Sequence, residues 1–285
     1  MGVKRIGVIG AGTMGTGIAQ AAAQAGIRVL LLDMAQEAVH RSQRLLARSL
    51  RRGVEARRLT PQEAERVRSL VSWEPTWQCL AEVDWVIEAV SENLDVKREV
   101  LRQAAQVVRE EVTVSTNTLA LPIDVLAQAF GRPERFLGMH FFNPAPAMKL
   151  VLIEPGTRTL PEVVEAAREL CRRMGKEPMT SLEVPRYVVN RTFGALVSTA
   201  IELVEEGAAP QAIDSAIELA MGHAMGPLRT ADMMGLDVVL AMLRAMHEQT
   251  GEERYEPPRR LVELVEAGKL GRKTGEGFYE YRELA

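Results

Sequence analysis

Residues 4 to 33 constrain the fold of this 285-residue chain more than any other stretch. Lys4-Arg5 leads into the apolar run Ile6-Gly7-Val8-Ile9, which opens onto Gly10-Ala11-Gly12-Thr13-Met14-Gly15, a helical stretch from Ile18 to Ala25 and a stop at Gly26. A second apolar run, Val29 to Leu32, ends in Asp33, eighteen residues after Gly15. Strand, glycine turn, helix, strand and acid, in that order, form the βαβ unit that binds a dinucleotide. Gly10 permits the tight turn, Gly12 lets a pyrophosphate approach the backbone, and Gly15 lets the helix pack closely on the strand. Together with Ala11, Thr13 and Met14 they make a loop whose amides, at the helix N-terminus, face the phosphates. The competing reading is an ordinary glycine turn, and the flanking strand, the helix and the spaced acid argue against it. Asp33 accepts hydrogen bonds from an adenosine ribose and repels a 2′-phosphate, while Met34-Ala35-Gln36 supply no arginine to receive one. The expected cofactor is therefore NAD rather than NADP.

The strand pattern continues with Asp84 to Val90, with Val112 to Thr118, which ends in polar residues, and with a strand around Phe136 to His140. The fold class expected is α/β, a doubly wound sheet followed by an all-α C-terminal domain. Ligands of such sheets sit at the carboxyl ends of the strands, so Glu88, Glu92, Asn117 and His140 are expected to converge there. His140 stands in the frame Gly138-Met-His-Phe-Phe-Asn-Pro and has two readings, a hydrogen-bonded core histidine or the acid/base that hydride transfer from a carbinol requires. The stretch from Ala35 to about Val71 reads as helical. Its arginines, Arg48, Arg51, Arg52, Arg57 and Arg58, gather around a turn expected at Gly53, either as a solvated face or as a contact for a phosphorylated substrate handle.

After a strand-like run to Ile153 and a helix from about Pro161 to Gly175, the boundary is expected at Val184-Pro185, dividing the chain into residues 1–185 and 186–285. Beyond it, Val188 to Glu205, Ala209 to Ala220, Gly235 to Thr250 and Pro257 to Gly268 show helical apolar spacing, with faces broad enough to suggest a homodimer. A monomer is the alternative. A net charge of −3 gives no electrostatic reason to expect nucleic acid or an anionic membrane as partner. Cys79 and Cys171 lack metal-ligand spacing, so no metal site is expected and reduced thiols in a cytoplasmic protein are. The absence of a signal peptide or a membrane-length apolar run points the same way.

Taken in order, GAGTMG, VIEAVSENLDVK (86–97), STNTLALPI (115–123), RFLGMHFFNPAPAMKLV (135–151), VVNR (188–191), MGPL (225–228), GLD (235–237) and AGKLGRKTGEGFYEY (267–281) resemble the L-3-hydroxyacyl-CoA dehydrogenase family, especially its bacterial 3-hydroxybutyryl-CoA members. The resemblance runs nearly end to end. It implies an NAD-binding Rossmann domain, a helical dimerisation domain and an acyl-CoA substrate whose 3-hydroxyl is oxidised to a 3-ketone, or the reverse. It also implies that His140 takes the hydroxyl proton and that Asn190 hydrogen-bonds the 3-oxygen. Glu92, Lys97 and Asn143 match cofactor-contacting positions, and Lys273 matches a lysine near the cofactor; both lysines also read as solvated loop residues.

Two departures stand out. The family's glutamate twelve residues after the histidine, which orients the imidazole, is Leu152 here, and its serine after Asn-Thr is Leu119, followed by Ala120 where a second serine is common. Glu154 shares the face of Leu152 but is displaced by roughly 6.6 Å along a strand, a gap that only a bulge or shifted register would narrow. These losses set out two alternatives to the dehydrogenase reading: a protein that binds NAD and acyl-CoA with little turnover, and a dehydrogenase for a different 3-hydroxy substrate.

Overall fold

The computed structural model describes residues 2–118, 121–181 and 188–281. The chain divides into two compact units, Met1–Arg186 and Tyr187–Ala285. Val184-Pro185, where the boundary is expected, lies outside the described residues, as do Leu119 and Ala120.

The first unit is built on one eight-stranded sheet. In chain order its elements are β1 (Arg5–Ile9), α1 (Thr13–Gln24), β2 (Arg28–Leu32), α2 (Gln36–Glu55), α3 (Pro61–Ser69), β3 (Val71–Glu74), β4 (Trp85–Glu88), α4 (Leu94–Val107), β5 (Thr113–Thr116), α5 (Ile123–Phe130), β6 (Phe136–Phe141), β7 (Leu150–Pro155), α6 (Pro161–Arg173) and β8 (Glu177–Thr180). The strand order is β3-β2-β1-β4-β5-β6-β7-β8. Pairing is parallel except between β6 and β7, which run antiparallel. The central strands are apolar on both faces because helices cover both. In β4, Trp85 and Ile87 join the core under α1 and α6, while Val86 joins the core under α4 and α5.

The sequence reading needs correction in two places. The stretch from Ala35 to Val71 is two helices, and Gly53 lies inside α2 rather than at a turn. The chain reverses at Arg57, with φ 53°, and restarts at Thr60, which takes part in a reciprocal capping box with Glu63 before Pro61 opens α3. The arginines of α2 lie opposite a buried stripe of Ala38, Ser42, Leu46 and Leu50. Finally, β3, β8 and the eight-residue helix α9 were not anticipated. Both strands are four residues long at the sheet's outer edges, too short to show a periodicity.

The second unit holds α7 (Val188–Glu205), α8 (Pro210–Met221), α9 (Pro227–Met234), α10 (Leu236–Thr250) and α11 (Arg259–Glu266) around a core that includes Val197, Ile201, Leu228, Val239, Leu243 and Leu261. Two buried carboxylates fasten it. Asp214 accepts from Leu228 N at 2.9 Å and Arg229 N at 3.0 Å, occupying donors at the start of α9, and also from Tyr279 Oη at 2.7 Å. Asp232 accepts from Phe278 N, Tyr279 N and Tyr281 Oη, each at 3.0 Å, and so ties down the C-terminal segment.

Candidate active site

The glycine turn between β1 and α1 has the shape a pyrophosphate needs. A Cβ added at Gly15 would lie 1.8 Å from the Gly10 carbonyl oxygen, so the helix reaches this close to the strand only with glycine there. At Gly12 the same addition meets nothing within 4 Å. The N-terminus of α1 carries no side-chain cap and no acid in its first turn, so no side chain of the helix itself competes for its first amides. These features fit a dinucleotide held by Gly10, Ala11, Gly12, Thr13, Met14 and Gly15.

Asp33 lies just beyond the carboxyl end of β2, and its two oxygens accept from Ala11 N at 2.8 Å and Ala35 N at 2.9 Å. The carboxylate therefore braces the glycine turn and keeps lone pairs for ribose hydroxyls. Asp33→Ala is expected to weaken NADH binding by about 10- to 100-fold, the worth of a charged hydrogen bond. NADPH binding should fall less, because removing the acid also removes repulsion of the 2′-phosphate. Parallel titrations with both nucleotides check this; equal weakening of the two would contradict the assignment to ribose.

Lys97 is placed differently from the sequence expectation. It is 0% exposed, and its Nζ donates to Glu88 Oε1 at 2.8 Å, Glu88 Oε2 at 3.0 Å and the Asn117 carbonyl at 3.1 Å. Lys97 thus presents no surface to a ligand in this conformation; it locks the ends of β4 and β5 to α4. Glu88 also accepts from Thr116 Oγ1 at 2.5 Å and Val90 N at 2.7 Å. Burial pushes the Glu88 carboxyl up, opposed by Lys97 and the neighbouring donors. Above this pair Glu92 is more open, its side chain 41% exposed, and accepts from Thr118 Oγ1 at 2.5 Å. Thr116 and Thr118 were not singled out in the sequence, where they read only as strand-end polar residues.

Asn117 bridges to the next strand, its Oδ1 accepting from Phe141 N at 2.9 Å. The last register pair of β5 with β6 is Thr116 with Gly138, so His140 stands two residues farther on, about 6.6 Å past it along the strand. His140 is half-buried, and its ring meets that of Phe142 edge-on with centroids 4.6 Å apart. Its Nδ1 atom is buried and makes no hydrogen bond, although the residue as a whole is not without a partner. Asn143, exposed, begins the loop after β6 and forms a cis peptide with Pro144.

The β6–β7 register fixes what stands beside the imidazole. It pairs Phe141 with Val151, His140 with Leu152, Met139 with Ile153, Gly138 with Glu154 and Leu137 with Pro155, without a bulge. Directly opposed residues share a face with their Cβ atoms about 4.5 to 5.5 Å apart. Leu152, 8% exposed, is therefore the cross-strand neighbour of His140. Glu154 lies two pairs away on the same face, opposite Gly138, and no bulge draws it alongside.

Two expected residues belong to the second unit. Asn190 is half-buried in the first turn of α7. Lys273, exposed, donates to Asp237 Oδ1 at 2.5 Å. Among the described residues no cluster of three His, Cys, Asp or Glu side chains could hold a metal ion, and no helix is long and apolar enough to cross a membrane.

Comparison with known proteins matches this geometry to one family. The model described as "3-hydroxyacyl-CoA dehydrogenase, NAD binding domain" matches residues 5–184, and that described as "3-hydroxyacyl-CoA dehydrogenase, C-terminal domain" matches residues 187–281. A probable 3-hydroxybutyryl-CoA dehydrogenase of Deinococcus radiodurans is 41% identical over 278 residues, 97% of this chain and 100% of its own length. Among solved structures, (S)-3-hydroxybutyryl-CoA dehydrogenase PaaH1 of Ralstonia eutropha has a TM-score of 0.86 at 38% identity, covering 99% of this chain and 100% of that one. Mycobacterium tuberculosis FadB2 has a TM-score of 0.91 at 34% identity, again covering 99% of this chain and 100% of that one.

Proposed function

The chain belongs to the 3-hydroxyacyl-CoA dehydrogenase family, and we propose that it oxidises a 3-hydroxyacyl-CoA such as 3-hydroxybutyryl-CoA to the 3-ketoacyl-CoA, or runs the reverse, with NAD as cofactor and His140 as acid/base. The observation that supports this most is the alignment of the glycine turn, Asp33, Asn117 and His140 along the carboxyl ends of β1, β2, β5 and β6. When bound, NAD supplies the nicotinamide ring that accepts a hydride from the substrate's third carbon.

The residues of the chain do the rest. The buried position of Nδ1 leaves Nε2 of His140 to remove the hydroxyl proton in the oxidative direction and to return it in the reductive one. Asn190 is assigned as donor to the 3-oxygen, on which negative charge grows as the proton leaves. Glu92, Asn143 and Lys273 are assigned to the cofactor's surroundings; Lys97 is assigned to positioning the strand ends, because its ammonium is spent on Glu88 and Asn117. The family resemblance implies a glutamate at position 152, and the residue directly opposite His140 is Leu152, which makes that side of the imidazole apolar.

The partner we propose besides the acyl-CoA is a second copy of the chain, since α8 leaves Leu219 87% and Met221 60% exposed. Two free cysteines, Cys79 and the buried Cys171, fit a reducing cytoplasm. The function is tested by mixing the protein with NAD and 3-hydroxybutyryl-CoA and following NADH. Steady NADH formation is the expected result. Nucleotide binding with no NADH from this or longer 3-hydroxyacyl-CoA thioesters would contradict it.

A further inference from the structure

Lys176 is a buried lysine that the reaction described above does not use. It follows Gly175 at the end of α6, is 5% exposed, and directs its ammonium at three backbone carbonyls: Ala145 at 2.6 Å, Met148 at 2.8 Å and Pro146 at 3.4 Å. An ammonium group has three donors and no acceptor, so it can serve three converging carbonyl dipoles that a neutral side chain of the same size would leave facing one another. Burial holds this ammonium below the usual lysine range. The lysine's backbone is pinned on both sides, Lys176 N donating to Cys171 O and Glu177 N to Lys149 O, each at 2.9 Å.

The three carbonyls belong to the loop joining β6 to β7, the loop that begins with Asn143 three residues after His140. Within the loop, Ala147 N and Met148 N both donate to the Pro144 carbonyl, at 2.9 and 3.1 Å. That turn does not use the carbonyls of residues 145, 146 and 148, and it is Lys176 that gathers them. On its other side the loop rests on α1. A Cβ built on Gly17 would stand 3.2 Å from Ala145 Cβ and 3.4 Å from Pro146 Cδ, and Ala145 is 2% exposed. The loop is thus clamped between the ammonium of Lys176 and the helix whose N-terminus fits the pyrophosphate.

We propose that Lys176 is a positioning residue for hydride transfer: by gathering the carbonyls of Ala145, Pro146 and Met148 it sets the Asn143 loop against α1, and so sets the cofactor's place relative to His140. The catalytic part of this proposal rests on the dehydrogenase reading; the cofactor-binding part does not. The lysine touches neither the reacting atoms nor the glycine turn between β1 and α1, so its effect passes through the loop.

The test compares the unmodified protein with Lys176→Met, which keeps the aliphatic bulk and removes the charge, and with Lys176→Ala assayed with and without propylammonium. Misplacing a reacting group by about 1 Å costs on the order of 10²-fold in rate, which is the fall in kcat expected for Lys176→Met with acetoacetyl-CoA and NADH. NADH affinity, measured by titration without substrate, should weaken about tenfold as preorganisation of the loop is lost, while affinity for CoA alone stays unchanged. Propylammonium should recover at least part of both losses in Lys176→Ala. Folded variants that melt lower yet bind NADH and turn over like the parent would overturn the proposal, as would a folded Lys176→Ala that the amine does not rescue. If the parent itself shows no turnover, the dehydrogenase reading fails, and the NADH titration still decides whether Lys176 sets the loop.

Discussion

Leu152→Glu is expected to raise kcat by up to about 10²-fold, the gap between the lower and upper ends of what a positioned histidine base contributes once an acid orients it. The expectation follows from register. His140 and Leu152 are directly opposed across β6 and β7, so a glutamate at 152 starts from Cβ atoms about 5 Å apart and needs no backbone change to reach the imidazole. A carboxylate there holds the ring in one orientation and one tautomer, and it stabilises the imidazolium formed as the proton arrives. The variant also carries a signature that a generic improvement would lack. An adjacent negative charge favours the protonated imidazole, so the acid limb of the oxidation rate should move to higher pH than in the parent. The substitution is expected to lower stability by about 1 to 3 kcal/mol, because it brings a carboxylate into a site where Leu152 is only 8% exposed. A thermal melt checks that cost. Unchanged turnover with an unchanged pH profile would mean that residue 152 does not act on His140.

His140→Ala carries the second large effect. General acid/base catalysis by a positioned histidine is worth about 10²- to 10⁴-fold, and the present chain should sit at the lower end because its imidazole has Leu152 rather than a carboxylate across the strand. NADH affinity should be preserved. The hydrogen bond from Phe141 N to Asn117 Oδ1, which ties β6 to β5 beside this residue, involves backbone and a different side chain. Loss of rate with retained NADH binding is therefore the expected pattern, measured by steady-state kinetics alongside a titration. Parallel loss of both would assign His140 to the structure rather than to the chemistry.

The elements that place this site were the most legible in the sequence. β1, β2, β4, β5 and β6 are apolar runs buried between helix layers, and the glycine turn and Asp33 follow from steric and charge requirements that few other residues meet. The spacing of twelve between His140 and Leu152 was visible, but their direct opposition needed the hairpin register. What escaped is of two kinds. Short edge elements such as β3 and β8 show no periodicity, and the turn between α2 and α3 falls after the glycine at 53, at Thr60-Pro61-Gln62-Glu63, which has the form of a capping box. The other kind is buried charge. Lys97, Lys176, Asp214 and Asp232 look like surface residues in sequence, and only the fold brings Glu88 under Lys97, loop carbonyls to Lys176, and chain-distant amides and hydroxyls to the two aspartates.

The central claim is that His140 is the acid/base of an NAD-dependent 3-hydroxyacyl-CoA dehydrogenase and that Leu152 stands where its supporting carboxylate would act. It is tested most directly by NADH oxidation with acetoacetyl-CoA in the parent, His140→Ala, Leu152→Glu and the double variant at equal concentration. Groups that act as a unit are non-additive, so removing His140 should cost about 10²-fold in the parent and up to about 10⁴-fold in the Leu152→Glu background. A His140→Ala variant that turns over as fast as the parent in both backgrounds would contradict the account.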